Sequence, residues 1–247
     1  MSRMYCYAIA GTSKDLNGEV RGIEGEAVEP LQAGDHTIFA SPTGLKDIPA
    51  RRRFMKAHTQ VLEALGEELD LLPMRFGTIA DDAAAAIGAV TQAEATINNL
   101  LSRFIGRREW GVRVELEERA LLSRAIAANS TLKTLHNQAV SKSGSTQLKI
   151  DLGRRVADAL EEERRKEQRR LLAALDGLID DRVLRAPEHP SMLLKADLLV
   201  ARCNEDALLD QVTSLSKEWS ATSKLVGPAP IYSFVDLQLD LAQRQAA

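Results

Sequence analysis

Glu109-Trp110-Gly111-Val112-Arg113-Val114-Glu115-Leu116 decides how the second half of the chain folds. Trp110, Val112, Val114 and Leu116 alternate with Gly111, Arg113 and Glu115, the period-two pattern of a strand with one buried and one wet face. The alternation returns in Leu194, Ala196, Leu198 and Val200, after Pro187 and Pro190. Between the two strands the residues from Ala120 to Ser145 read as a helix and a loop. A long helix then runs from about Gln147 to Asp180, which at about 1.5 Å per residue spans roughly 50 Å. A short strand at Arg182-Val183-Leu184, a helical stripe of Leu208, Val212, Leu215 and Trp219, and a last strand from Ile231 to Leu237 complete the series. Strand, helix, strand, strand, helix, strand is the order of a ferredoxin-like α+β unit.

The first half reads as a different α+β arrangement. Met4-Tyr5-Cys6-Tyr7-Ala8-Ile9-Ala10 is apolar on both alternating faces, as in a strand covered on both sides. A second strand lies around His36-Thr37-Ile38-Phe39-Ala40, and Asp47-Ile48-Pro49 signals a helix start. Phe54, His58, Val61, Leu65 and Leu69 share one face of that helix, so His58 is expected as a hydrogen-bonded core histidine. Leu72, Met74 and Phe76 share one strand face. Asp81 or Asp82 then caps an alanine-rich helix striped by Ile87, Val90, Ile97, Leu101 and Phe104 and closed by Gly106. The boundary falls there, giving an N-terminal α+β domain over residues 1–106. A C-terminal ferredoxin-like domain over 107–247 carries a long charged helix and ends in a short tail.

The 247 residues carry a formal net charge of -3, so no global field draws the chain to nucleic acid or anionic lipid. No apolar run is long enough to cross a bilayer, and no signal peptide opens the chain, which predicts a soluble intracellular protein. Cys6 and Cys203 read as buried, reduced thiols of a cytosolic protein. Glu161 to Arg170 is almost wholly charged. Glu161 with Arg165 and Glu162 with Lys166 form acid-before-base pairs four residues apart, so this stretch reads as a solvated rod or an arm toward a polar partner.

Catalytic signatures are wanting. Phosphate loops, the dinucleotide-binding glycine turn, zinc-binding helices and paired CxxC cysteines do not occur, and the four histidines are scattered, so no catalytic, cofactor-binding or metal-binding residue is assigned. Arg51-Arg52-Arg53 has the charge of a phosphate patch, but it opens a helix. The wet positions Gly111, Arg113 and Glu115 lack the rings that stack on bases, which argues against nucleic acid. Arg75 is the one polar residue suited to hold a carboxylate or a partner's carbonyl, with a domain-interface salt bridge as its structural alternative.

Three segments in this order carry a family resemblance: Leu72-Pro73-Met74-Arg75-Phe76-Gly77-Thr78, the Glu109-Trp110 strand, and Gly227-Pro228-Ala229-Pro230-Ile231-Tyr232-Ser233-Phe234-Val235. Together with His58 and Val61-Leu62 they resemble the gas vesicle protein F/L family (GvpF/GvpL), from the Tyr5-Cys6-Tyr7 opening to the end. The chain departs from the family's usual ending at two places. Ala229 replaces a tryptophan and Ile231 the second of two paired prolines, so one large aromatic anchor is missing. The resemblance implies a non-enzymatic, cytoplasmic accessory protein associated with the gas vesicle. Its implied partners are the hydrophobic main shell protein, gas vesicle protein A, and other accessory gas vesicle proteins. A subunit that forms a gas-facing wall cannot stay soluble alone, and a charged protein can shield it before it joins the shell. The residues expected at such contacts are Arg75, Phe76, Trp110, Tyr232 and Phe234. An enzyme of unknown reaction is the alternative from a different class, and an RNA-binding module the weaker third.

Overall fold

The computed structural model describes residues 2–11, 19–128, 134 and 146–241. It is an α+β protein whose chain divides into two compact units, Met1–Glu109 with Pro228–Ala247, and Trp110–Gly227. The sequence reading assigned the C-terminal segment to the second domain. Its contacts group Pro228–Ala247 with the first unit.

In the first unit the central strand is β1 (Arg3–Ala10), buried on both faces from Met4 onward. The sheet runs β2 (Glu29–Ala33), β3 (His36–Thr43), β1, β4 (Leu71–Pro73), with the short β5 (Ile79–Ala80) also paired to β1. β3, β4 and β5 all pair antiparallel to β1. β2 and β3 form a hairpin closed between Ala33 and His36, where Gly34 takes φ 63°, a left-handed value that costs glycine little. Helices α1 (Arg52–Glu68) and α2 (Ala83–Gln92) both pack on β1, which explains why this strand has no polar face. Phe54, His58, Val61, Leu62 and Leu65 form the buried stripe of α1.

The alanine-rich segment, expected as one helix, is two, α2 and α3 (Glu94–Phe104), parted at Ala93. Asp82 caps α2, its carboxylate accepting the Ala85 N–H at 2.8 Å. Asp81 instead donates its backbone N–H to the Leu241 carbonyl. Gly106 ends this region with φ 68°.

The second unit contains β6 (Arg107–Leu116, most of it in this unit), α4 (Glu118–Ala128), α5 (Thr146–Leu175), β7 (Asp181–Leu184), β8 (Met192–Ala201), α6 (Glu205–Trp219) and β9 (Ala221–Ala229). The strand order β7-β8-β6-β9 is that of the ferredoxin-like split βαβ unit. Trp110, Val112, Val114 and Leu116 meet Leu194, Ala196, Leu198 and Val200 beneath Leu171, Leu175, Leu208, Val212 and Trp219. The loop expected between α4 and α5 lies, apart from residue 134, outside the described residues.

Two expectations for this half need correction. The final strand is Ala221–Ala229; residues 232–234 form a turn and 235–241 are irregular, with Tyr232 N–H donating to the Pro230 carbonyl and Phe234 N–H to that of Ile231. Pro230, directly after the strand, brings no N–H to a ladder, so period-two spacing beyond it has no strand to serve. The charged stretch of α5 is also not a free rod, because Glu163, Arg164 and Glu167 are buried. Glu161 does pair with Arg165, and bidentately with Arg164, whereas Lys166 reaches Glu163. Cys6 is a buried thiol as expected, pushed up to about 12 chiefly by desolvation. Cys203 is exposed, on a short 3-10 turn (Arg202–Asn204).

Candidate functional site

Among the described residues, the aromatic ring contacts gather in the first unit, where β1, α1, the turn after β4 and the C-terminal segment converge. Tyr5 and Tyr7 project from the same face of β1, their ring centroids 4.8 Å apart. The His58 ring stacks on Tyr7 at 5.7 Å and meets Tyr5 and Phe76 edge-on, each at 5.7 Å. Tyr232 adds a fifth ring, 6.3 Å from His58.

The hydrogen bonds fix the protons. Gly77 N–H donates to Tyr5 Oη at 3.0 Å, and Tyr5 Oη lies 3.0 Å from His58 Nδ1. With Tyr5 donating onward, His58 is the neutral tautomer carrying its proton on Nε2. That nitrogen faces the Met74 backbone without a hydrogen bond of normal geometry. Desolvation pulls the imidazole down to about 4, so it is uncharged at neutral pH. Burial likewise pushes the phenols of Tyr5, Tyr7 and Tyr232 up. Tyr7 Oη accepts the Ile23 N–H at 2.7 Å and pairs with Ser41 Oγ at 2.9 Å. A Cβ at Gly22 would sit 1.9 Å from that oxygen, so only glycine fits there.

These groups are occupied in holding turns. Tyr5 ties down the loop that presents Arg75 and Phe76, and Tyr7 ties down the short turn at Ile23–Gly25. An acid or base for catalysis would need a shifted group open to a reactant, whereas His58 is enclosed by rings.

The C-terminal segment is pinned over this cluster. The Glu109 carboxylate, itself buried, accepts the Ser233 N–H and the Ser233 Oγ–H, each at 2.8 Å. It therefore replaces the ladder partner that a strand would have supplied. Ile231 is buried beside it. Arg75 donates to Asp236 at 2.7 Å, but with side chains 69% and 75% exposed this ion pair adds little stability. Glu109, Ser233 and Ile231 explain why residues 228–241 belong with the first unit.

Of the residues expected at contacts, Arg75, Phe76, Tyr232 and Phe234 all lie in the first unit. Arg75 is exposed, Phe76 and Phe234 are half-buried, and Tyr232 is 37% exposed. Trp110 stands apart: at 6% exposure it is a core residue of the second unit, its indole N–H donating to Glu205 at 3.2 Å. Sequence reasoning missed Glu109 and Asp236 as anchors of the segment. The sole available signal was an acid immediately before a buried tryptophan. Among the described residues, no group of histidines, cysteines and acids is placed to hold a metal ion, and no helix is long and apolar enough to cross a membrane.

A two-unit α+β protein with a strapped aromatic cluster and a ferredoxin-like second unit is thus the class that the fold defines. Residues 3–236 match the family model described as gas vesicle synthesis protein GvpL/GvpF. A gas vesicle protein F of Streptomyces sp. (strain CB03234) is 30% identical over 239 residues, covering 94% of this chain and 99% of that protein. A gas vesicle protein F of Nostoc sp. (strain PCC 7120 / SAG 25.82 / UTEX 2576) is 23% identical over 221 residues, covering 88% and 91%. The crystal structure of the gas vesicle protein GvpF from Anabaena sp. PCC7120 superposes with a TM-score of 0.85 at 22% identity, covering 96% of this chain and 100% of that one. That of GvpF from Microcystis aeruginosa gives 0.77 at 19%, with the same coverage. The two structures speak for the fold. The chain belongs to the GvpL/GvpF family of gas vesicle proteins, which is not a known enzyme family, and its role is a gas vesicle one.

Proposed function

We propose that this protein is a non-enzymatic accessory factor of gas vesicle assembly that binds the main shell protein, gas vesicle protein A, and other accessory gas vesicle proteins. It acts in the cytoplasm and at the gas vesicle. The observation that carries this reading is family membership over nearly the whole chain, residues 3–236. The site supports it, because the buried polar groups position turns and leave ring edges at the surface. Tyr232 is exposed on one side, with half-buried Phe76 and Phe234 in the same unit. Aromatic anchors that need little reordering commonly dominate protein interfaces, and an apolar shell subunit offers them a matching surface.

The test is capture of purified gas vesicle protein A by the full-length chain, compared with a variant carrying Tyr232→Ala and Phe234→Ala. The variant retains its circular dichroism spectrum and loses most of the captured shell protein, while wild-type capture persists in moderate salt. Unchanged capture by the folded variant, or release of the wild-type complex by moderate salt alone, refutes the apolar contact.

A further inference from the structure

On the outer face of α1, Arg52, Lys56, Glu63 and Glu67 form a charge pattern that the rest of the described residues leaves unanswered. Its first turn holds no acid and its last turn no base, and its N-cap, Arg51, makes no side-chain cap. Arg51, Arg52, Arg53 and Lys56 crowd the positive end of the helix dipole, while Glu63, Glu67 and Glu68 crowd the negative end. Arg52 and Lys56 stand four residues apart, as do Glu63 and Glu67, so like charges also face each other along the helix. All four side chains are exposed, and among the described residues none of them forms an ion pair. Sequence choices that oppose the helix at both ends call for an outside partner.

The pattern is its own complement. In an antiparallel pair of α1 helices centred between Thr59 and Gln60, Lys56 of one copy falls opposite Glu63 of the other, and Arg52 opposite Glu67. Arg51 falls opposite Glu68 at the ends. Two-fold symmetry makes each of these pairs twice, as an isologous interface requires. Residues 52, 56, 59, 63 and 67 follow one another at spacings of three or four, so they share one face. Thr59, at the centre of that face, keeps the helices' approach close, and Met55, 49% exposed, offers an apolar contact at one flank. Tyr232, which accepts or donates a hydrogen bond at Thr59 and lies near Glu63, forms one rim.

We infer that the outer face of α1 is a self-association surface, occupied by α1 of a second copy in antiparallel register through Arg52–Glu67 and Lys56–Glu63 pairs. A face of 17 residues is about 25 Å long, too small for a tight dimer, so the association is weak and transient. It depends on exposed ion pairs, so salt dissolves it.

Sedimentation of the full chain at roughly 300 μM tests this, with self-association expected at about 20 mM salt and at least tenfold weaker near 300 mM. Lys56→Glu and Glu63→Lys each abolish it, since each places like charges opposite one another twice. The double variant Lys56→Glu/Glu63→Lys restores it, and the two single variants mixed together form a heterodimer. The swap Arg52→Glu/Glu67→Arg repeats the test away from Tyr232. A wild-type chain that stays monomeric at low salt overturns the inference. So does association that ignores the single charge reversals, or a folded double swap that fails to restore it. Loss of another gas vesicle protein's binding in the single variants, without rescue by the swap, assigns the face to that partner instead.

Discussion

Helices α1 and α5 are both heavily charged, yet their charges do opposite things. In α5 the acids and bases answer one another within the chain. Glu161 binds Arg164 and Arg165, which hold its carboxyl down at about 2, the Arg164 hydrogen bond contributing most. Glu163 meets Lys166, and Glu167 meets Arg124 of α4 at 3.6 Å and Arg170 at 3.9 Å. Arg124 also donates to the Trp219 carbonyl at the end of α6, while Arg170 lies over the Trp219 ring and reaches Glu218. In α1, Arg52, Lys56, Glu63 and Glu67 have no such answers among the described residues. A dense charge run therefore does not mark a contact surface, whereas charge left unpaired and set against its own helix does.

Breaking the paired helix has the largest expected effect. Glu167 is 4% exposed and faces two guanidinium groups, so Glu167→Lys buries a third cation against Arg124 and Arg170. Disrupting a buried pair from one side costs about 3 to 5 kcal/mol. Urea unfolding at neutral pH should show that loss, whereas the exposed Glu162→Lys changes stability by no more than about 0.5 kcal/mol. Equal losses at both positions would mean that α5 is a uniformly solvated rod after all, as its sequence suggested.

The inner face of α1 provides the next contrast, because there a titratable group is buried instead of displayed. His58 has a folded value of about 4 against 6.5 for the free side chain. The unfolded chain therefore binds a proton between these values while the native chain does not, and stability falls as pH drops from 6.5 toward 4. Below 4 both states are protonated and this contribution is gone. A shift of this size corresponds to roughly 3 kcal/mol at most. Since carboxylates also titrate in acid, the measurement is the difference between wild type and His58→Phe across pH 7 to 4. The variant has the shallower dependence, and parallel curves would show that His58 is not held neutral in the core.

These contrasts also show what the sequence displayed. The second unit was legible because Trp110 to Leu116 and Leu194 to Val200 bury one face each, and period-two spacing records that directly. His58 was legible as a core residue from its place in the α1 stripe, though its bond to Tyr5, 53 positions away, was not. The break at Ala93 left no glycine or proline to mark it. Residues 231–237 misled because their alternation imitates a strand, while the partner of Ser233 is a carboxylate 124 positions earlier. The burial of Glu163 and Glu167 had the same cause, since Arg124 approaches Glu167 from another helix. Local pattern reports which faces are apolar, but it does not report which distant polar group has come to meet them.

The smallest effect is the sharpest test of why α1 is charged as it is. Lys56→Glu removes the repulsion from Arg52, replaces it with attraction at the same spacing, and moves negative charge toward the positive end of the dipole. In a dilute sample, where no second copy is bound, these changes stabilise the chain by about 0.5 kcal/mol, a rise in Tm of roughly 1 to 2 °C for a protein of this size. Glu63→Lys does the same at the other end, and the double swap adds the two gains because the sites do not share a partner. The natural sequence is then the least stable of the four as a monomer, while only it and the double swap associate. Stability given up at a surface in this way is what selection for a contact leaves behind. If either single reversal instead lowers the Tm of the dilute chain, the charges on α1 are stabilising it through a route within the monomer, and the contrast with α5 disappears.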